Sequence, residues 1–385
     1  MFSKRTSWDL TEEPLTSAVR RARTCGQSVV DLTVSNPTVC SFNYIANEIL
    51  GALSEDGALR YEPAPMGTVS ARRAVCDYYA DHKAWVNPGH VLLTTSTSEA
   101  YSFLFRLLCD PGDEVLVAQP SYPLFDFIAT LDHVVLRPFP LFFDYGWWID
   151  FAELERQINT RTRAILLVHP NNPTGHATSH AEREKLEDLC ASYGLALIVD
   201  EVFLDYSLGE PIASFTTGNH CCLKFVVSGI SKIAALPQMK VSWLVVKGPE
   251  SICRQALERL EFIADTFLSM NAPAQHALPG WLAGRATIQR QILARVRSNL
   301  ESLRELAAIN IFPVEAGWSA ILRLPQWLRE EDLAERILLE TGVLVQPGSF
   351  YALPSSNLVV ISLLVESESF VTGIKMLNQW CGSTD

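Results

Sequence analysis

The sequence predicts an α/β protein with a large, mainly parallel sheet covered by helices and a smaller α+β domain near the C-terminus. Three observations predict this class. Short apolar runs alternate with amphipathic stretches between about residues 90 and 250, a capped helix separates two of the runs, and a long amphipathic helix precedes further strand-like segments. Such alternation is typical of parallel sheets, because each parallel connection has to cross back over the sheet.

The predicted strands of the large sheet are short and apolar, and several are rich in Val and Ile, as expected for strands covered on both faces. They are Val91–Thr94, Glu114–Ala118, Val134–Leu136, Ala164–Val168, Leu195–Val199, Phe225–Val227 and Val241–Val246. Ser179 and Glu182 form a capping-box pattern between two of them, and Gly194 follows as a C-terminal stop. This segment therefore predicts a strand–helix–strand unit.

The C-terminal region begins with a predicted helix over 285–308. Its apolar face is made by Ile288, Ile292, Val296, Leu300 and Leu303. Strand-like segments follow at Ser319–Leu324, Gly342–Val345 and Leu358–Leu364, with a helix near 331–340 between the first two. The first forty residues have weak periodicity, so their pattern alone does not predict where they lie.

Composition excludes several classes of function. The 385 residues carry 31 Lys and Arg against 43 Asp and Glu, a formal net charge of −12, so the basic surface of a nucleic-acid binder is not expected. No apolar run has the length of a membrane span, and the start has no apolar core typical of a signal peptide. Nine scattered cysteines without a CxxC motif predict reduced thiols in the cytoplasm and no metal centre.

Polar residues follow three of the predicted strands, where ligands bind in open parallel sheets. Asn171–Gly175 follows one strand, Asp200 ends another, and Lys232 follows a third. Taken singly, these residues are also typical of a turn, a solvated strand end and a snorkelling lysine. The alternative for Lys232 is a lysine of lowered pKa that forms a Schiff base.

The order of the motifs narrows this choice. The set resembles the fold-type-I aminotransferases that use pyridoxal 5'-phosphate, in the class I/II group and nearest to its alanine-type members. The resemblance spans nearly the whole chain. It rests on Ser35-Asn36-Pro37-Thr38, Tyr61, Gly67, Thr95–Ala100, Pro120–Pro123, Asn171–Gly175, Asp200-Glu201, Ser231-Lys232 and Pro347–Phe350.

The resemblance implies a role for each ring-binding residue. Lys232 would form the Schiff base and move the proton between the substrate carbon and the cofactor. Asp200 would pair with the pyridine nitrogen, Asn172 would bind the ring hydroxyl O3', and Tyr122 would stack on the ring. An ordinary core tyrosine is the alternative for Tyr122.

It also implies how the phosphate is held. Ser96, Thr97 and Ser98 would open a helix whose amides bind the phosphate, with Ser231 assisting. Tyr61 would reach it from a second subunit, so a homodimer with shared active sites is expected. The implied division is an N-terminal segment 1–40 packing with the small domain, a cofactor-binding domain 41–280 and a small domain 281–385.

The sequence departs from the family pattern at cofactor-binding and substrate-binding positions. Phe203 stands where a tyrosine usually assists O3', Lys240 replaces the arginine that clamps the phosphate, and Gly229 replaces a common serine. Val360 occupies the position of the arginine that usually binds the substrate α-carboxylate. Arg323 and Arg60 are the basic candidates for that carboxylate near likely site segments.

The function implied is transfer of an amino group between an amino acid or amine and a 2-oxo acid, both small molecules. Because of Val360, another reaction on the same cofactor, such as elimination, racemisation or cyclisation, remains an alternative. The last alternative is a ligand-binding protein that has the same fold but no catalytic activity.

Overall fold

A computed structural model describes residues 1–218, 220–328 and 332–383. The helices are α1 (Pro14–Thr24), α2 (Ala46–Gly51), α3 (Val69–Asp81), α4 (Thr97–Leu108), α5 (Leu124–Leu131), α6 (Phe151–Gln157), α7 (His180–Tyr193), α8 (Ile230–Ile233), α9 (Glu250–Thr266), α10 (Ala272–Leu306), α11 (Leu333–Thr341) and α12 (Ser367–Ser383). The strands are β1 (Val30–Asp31), β2 (Val91–Thr94), β3 (Glu114–Gln119), β4 (Val135–Phe143), β5 (Trp147–Ile149), β6 (Thr162–Val168), β7 (Ala196–Asp200), β8 (Lys224–Gly229), β9 (Ser242–Lys247), β10 (Asn310–Ile311), β11 (Ser319–Arg323), β12 (Val343–Leu344), β13 (Gln346–Pro347) and β14 (Leu358–Ser362).

The large sheet has the strand order β2-β9-β8-β7-β6-β3-β4-β5. β9 runs antiparallel to both of its neighbours and β5 antiparallel to β4, while β8, β7, β6, β3 and β4 are mutually parallel. The predicted α/β class is confirmed. The predicted strand Val134–Leu136 is longer than expected, since β4 continues to Phe143.

Helices cover both faces of this sheet, which explains why its strands read as continuous apolar runs. In β3, Val115 and Val117 pack in a core with α4 and α9, whereas Leu116 and Ala118 face a second core with α3 and α10. α7 has the predicted caps: the Ser179 hydroxyl and the Glu182 carboxylate accept each other's backbone N–H. Gly194 ends α7 with a φ of 66°.

The predicted helix over 285–308 begins earlier than expected. α10 starts at Ala272, capped by the Asn271 side chain, and continues through Pro279 to Leu306. Proline is usually a break inside a helix, so the sequence pattern indicated a start only beyond it. The predicted apolar face is buried. The predicted boundary between the cofactor-binding domain and the small domain, at residue 280, lies inside this continuous helix. The domain boundaries stay a prediction.

A smaller antiparallel sheet of order β10-β11-β14-β13 follows α10. The predicted strand Gly342–Val345 corresponds to β12, which pairs with β1 outside the antiparallel sheet, and the strand that follows it, β13, was not predicted and joins that sheet. Val30 of β1 is in register with Val343, and Leu15 and Ala18 of α1 join the same core as β11 and β14. The helix expected near 331–340 is α11; residue 331 lies outside the described residues.

Within the described ranges, no helix combines the length and the apolarity that a membrane crossing requires. The same residues contain no group of three or more His, Cys, Asp or Glu arranged to hold a metal ion.

Candidate active site

The sheet register brings the predicted motifs to one edge. Gly229, three residues before Lys232, pairs with Ser242, which pairs on its other side with Thr94, two residues before Ser96. On the adjoining strands, Asp200 lies between Val168 and Val227. The lysine, aspartate, asparagine and helix α4 segments therefore all emerge at the carboxyl ends of neighbouring strands.

Lys232 lies on the short helix α8, directly after β8, and is half-buried. Its Nζ is 5.0 Å from the ring centre of Trp318 and 5.8 Å from that of Phe203. Burial lowers the pKa of Lys232 to about 8, and the nearby Asp200 carboxylate opposes that change. About a tenth of the amine is therefore neutral at pH 7 and about half at pH 8, and the neutral amine is the form that acts as a nucleophile.

Asp200 is 6% exposed at the end of β7. The Tyr101 hydroxyl donates to Oδ2, and the Val202 N–H donates to Oδ1 at 3.0 Å. Burial raises the pKa of Asp200 to about 6, opposed by these two hydrogen bonds and by the charge of Lys232. A buried carboxylate with so few donors is suited to a cationic partner. Tyr101 was not predicted, because nothing in its helix pattern distinguishes it from a core tyrosine.

Phe203 lies beside Lys232 but is more buried than a site-edge position would be. It is 5% exposed, and its ring meets Trp318 edge-on, with centres 5.0 Å apart. Tyr206, the nearby hydroxyl that could replace a tyrosine at 203, donates to the Lys232 carbonyl at 2.6 Å. Its hydroxyl therefore holds the α8 backbone. Trp318 was also not predicted as a site residue.

Asn172 faces the small antiparallel sheet. Its Oδ1 accepts a hydrogen bond from the Ser319 hydroxyl at 3.1 Å, which leaves the amide nitrogen to donate elsewhere. The neighbouring Asn171 is buried, and both ends of its amide are hydrogen-bonded. Its amide nitrogen donates to the Pro120 carbonyl, and its oxygen accepts from the Thr174 hydroxyl. The structure thus shows that Asn171 has a structural role, whereas the amide nitrogen of Asn172 is available to a ligand. Ser319 is a residue that the sequence did not predict.

The start of α4 has the form of an anion site. The Ser96 hydroxyl caps the helix by accepting from the Glu99 N–H at 3.1 Å, and Glu99 accepts from the Thr95 N–H at 2.7 Å. The amides of Thr97 and Ser98 belong to the first turn, which has no helical acceptors of its own. First-turn amides and the helix dipole favour a phosphate there.

Other predicted residues lie at the periphery. Tyr122 is 43% exposed, with its ring edge-on to Phe350 at 6.3 Å. Tyr61 is 73% exposed, and Lys240 is exposed in a left-handed backbone conformation with φ of 55°. Ser231 is half-buried next to Lys232. Within one chain, Tyr61 and Lys240 are thus surface residues.

The position that sequence reasoning singled out for the substrate carboxylate is apolar. Val360 is 2% exposed and in register with Ile321 on β11. Arg323, on the same strand as Ile321, stacks over Phe312 at 4.8 Å. Arg60 pairs with Glu62 at the surface, 3.4 Å apart. Among the described residues, neither arginine forms a hydrogen bond or an ion pair with Lys232, Asp200 or Asn172.

A lysine of lowered pKa near a buried carboxylate, at the carboxyl ends of a mixed sheet, is the arrangement expected of an enzyme that works through a lysine amine. The chain belongs to the family described as "Aminotransferase class I and II", whose profile matches residues 27–363. It is therefore an aminotransferase, a transferase that moves amino groups.

Relatives and solved structures agree with this membership. The chain is 27% identical to the alanine aminotransferase of Mycobacterium tuberculosis, covering 95% of this chain and 89% of the relative. It is 24% identical to nicotianamine aminotransferase 1 of Oryza sativa, covering 92% and 75%. The alanine aminotransferase structure from Pyrococcus furiosus superimposes with a TM-score of 0.89 at 21% identity, covering 100% of both chains, which supports the fold.

Proposed function

We propose that this aminotransferase uses pyridoxal 5'-phosphate, attached through Lys232, to move an amino group between an amino acid or amine and a 2-oxo acid. The observation that carries the proposal is a half-buried lysine, whose pKa burial lowers to about 8, placed near enough to the buried Asp200 for each charge to affect the pKa of the other group. Family membership favours amino transfer over elimination, racemisation or cyclisation, and over a non-catalytic binding protein.

The donor set fits the cofactor. Asp200 is a buried acceptor for a protonated ring nitrogen, and Asn172 has a free amide donor for the ring hydroxyl. Tyr122 offers an exposed aromatic face for the ring. When bound, the cofactor supplies an electron sink for the negative charge that develops at the substrate carbon.

Lys232 is suited to carry the proton. Its Nζ lies next to the rings of Phe203 and Trp318, and the Tyr206 hydroxyl donates to the Lys232 carbonyl and so fixes the backbone of α8. An amine of lowered pKa can accept a proton from a bound substrate near neutral pH and return it one atom away. Asp200 would hold the ring nitrogen of the bound cofactor, and the hydrogen bonds that Tyr101 and Val202 donate to it favour its charged form.

The phosphate group is expected at the start of α4, on the Thr97 and Ser98 amides with Ser96 and Ser231 nearby. Lys240 would supply charge without the bidentate fork of an arginine.

Tyr61 is exposed on its own chain, and this supports the proposal that it completes the site of a second subunit in a homodimer. All nine cysteines are free thiols, which supports a cytoplasmic location.

The substrate carboxylate requires a different arrangement from the family's arginine. Val360 and Ile321 form an apolar, buried pair on the small sheet, and burying an unpaired carboxylate against them is costly. Amines without an α-carboxylate therefore belong in the donor panel beside amino acids.

The experiment that tests the proposal combines Lys232→Ala with the matched surface variant Lys375→Ala. The unmodified chain and Lys375→Ala should retain cofactor on the chain after borohydride reduction, and peptide mass should locate it on Lys232. Lys232→Ala should retain none and should lose amino transfer. Covalent cofactor on another residue would overturn the assignment, and a cofactor spectrum that no amino donor changes would overturn the reaction.

A further inference from the structure

A second pocket, named here the basic pocket, lies at the opposite end of the large sheet from Lys232. β8 runs from Lys224 to Gly229, so the two ends are separated by about 17 Å at the usual rise per residue. The cavity measures about 390 Å³. Its lining includes Lys83, Trp85, His90, Thr217, His220 and Lys247, and none of its lining residues is acidic.

Lys247 is the central feature of the basic pocket. It is 7% exposed, and its Nζ donates to the Trp85 carbonyl at 2.6 Å. Among the described residues, no carboxylate lies within ion-pair distance of this ammonium group. Burial lowers the pKa of Lys247, and the positive charge of Lys224 lowers it further. An ammonium group has three donors, so a buried one with a single neutral acceptor is suited to an anion.

The layer beneath the basic pocket adds positive charge. Lys224 is fully buried and in register with Lys247, and Arg183 is 9% exposed. Both pair with Glu187, at 2.6 Å for Lys224 and 3.1 Å for Arg183. Two buried cations thus contact Glu187 in the layer below Lys247.

Trp85 provides a surface for a planar group. Its side chain is 77% exposed, and Lys247 Nζ lies 5.6 Å from its ring centre. Lys83 is exposed at the rim in a left-handed backbone conformation with φ of 58°. The His90 Nδ1 donates to the Val246 carbonyl at 3.1 Å, which leaves Nε2 of the neutral ring as a hydrogen-bond acceptor. A 390 Å³ cavity exceeds the need of a bare inorganic anion and suits a small organic molecule.

We propose that the basic pocket binds a small molecule with a phosphate group and a planar ring. The phosphate would contact the ammonium groups of Lys247 and Lys83, and the ring would stack on Trp85. Phosphate matches this lining because its two charges and three terminal oxygens can take up several ammonium donors at once. The ligand would bind independently of the Lys232 site.

The experiment is calorimetric titration of the cofactor-saturated enzyme with two probes, inorganic phosphate and adenosine monophosphate. Adenosine monophosphate should bind saturably and more tightly than inorganic phosphate. Lys247→Gln should weaken both probes at least about tenfold, since it removes a buried charged donor. Trp85→Ala should weaken adenosine monophosphate and leave inorganic phosphate unchanged.

Lys83→Gln serves as the second variant, because an exposed side chain can be replaced without unfolding the chain. It should weaken both probes about threefold, with an effect that falls at high salt. Lys375→Gln, an exposed lysine on α12, is the matched control and should bind as the unmodified enzyme does. Equal binding by Lys247→Gln and Lys375→Gln, no saturable binding at millimolar concentration, or loss of binding in Lys240→Gln instead would each overturn the proposal.

Discussion

Tyr101 offers the sharpest test of the electrostatics around Asp200. Its hydroxyl donates to the buried carboxylate, which otherwise has the Val202 N–H and the charge of Lys232. Tyr101→Phe removes this donor with almost no change of shape. A hydrogen bond to a charged group contributes about 1.5–3 kcal/mol, so the pKa of Asp200 should rise by roughly one to two, from about 6.

The direction in which the free energy of unfolding changes with pH follows from the linkage between protonation and folding. The pKa of Asp200 in the folded chain lies above its unfolded value, so the folded state favours the neutral acid. Stability is then greatest below the unfolded pKa and is lost as pH rises through the folded pKa. A further rise caused by Tyr101→Phe makes ionisation costlier. The part of the destabilisation that depends on ionisation of Asp200 should be about 1.3–2.3 kcal/mol at pH 8 and close to zero at pH 5, in addition to the smaller cost of the lost hydroxyl at both pH values.

The assay is urea unfolding of cofactor-free protein at pH 5 and pH 8. Tyr206→Phe is the matched control, because it removes a buried hydroxyl whose acceptor is the neutral Lys232 carbonyl. The control should lower the free energy of unfolding by about 0.5–1.5 kcal/mol at both pH values. If Tyr101→Phe is equally destabilising at pH 5 and pH 8, its hydroxyl does not stabilise a charged Asp200 and the reasoning fails.

Three further changes probe the site. Asp200→Asn should lower the rate of amino transfer by several orders of magnitude, because the charge opposite the ring nitrogen is lost; a near-normal rate in a steady-state assay would contradict this role. Phe203→Tyr should move the absorbance titration of the holoenzyme to lower pH, by adding a donor near the ring oxygen; superimposable curves between about pH 5 and 10 would mean that residue 203 does not contact it. Val360→Arg should lower the KM for amino acids at least about tenfold, because the arginine would pair with the α-carboxylate, and should leave the KM for simple amines unchanged. If the ratio of these two KM values does not change, the carboxylate is bound elsewhere.

Local patterns in the sequence predicted most of the large sheet. The strands between residues 91 and 247, apart from β5, were predicted together with the caps of α7, because both depend on residues that are close in the sequence. The failures also have local causes. α10 begins earlier than predicted because Pro279 resembles a break, and β13 was not predicted because a two-residue strand that follows β12 so closely has no pattern of its own.

The sequence by itself determined the order of the chemical motifs, from the α4 segment through Asn172 and Asp200 to Lys232. It did not determine their partners. Tyr101 and Asp200 are separated by 99 positions, and Ser319 and Asn172 by 147. Contacts over such distances depend on strand register and on the packing of the small sheet against the large one, for which no local pattern exists. Only the tertiary structure therefore decided that the Tyr101 hydroxyl donates to Asp200 and that the Asn172 amide nitrogen remains available as a donor. It also decided that the rings of Phe203 and Trp318 lie next to Lys232.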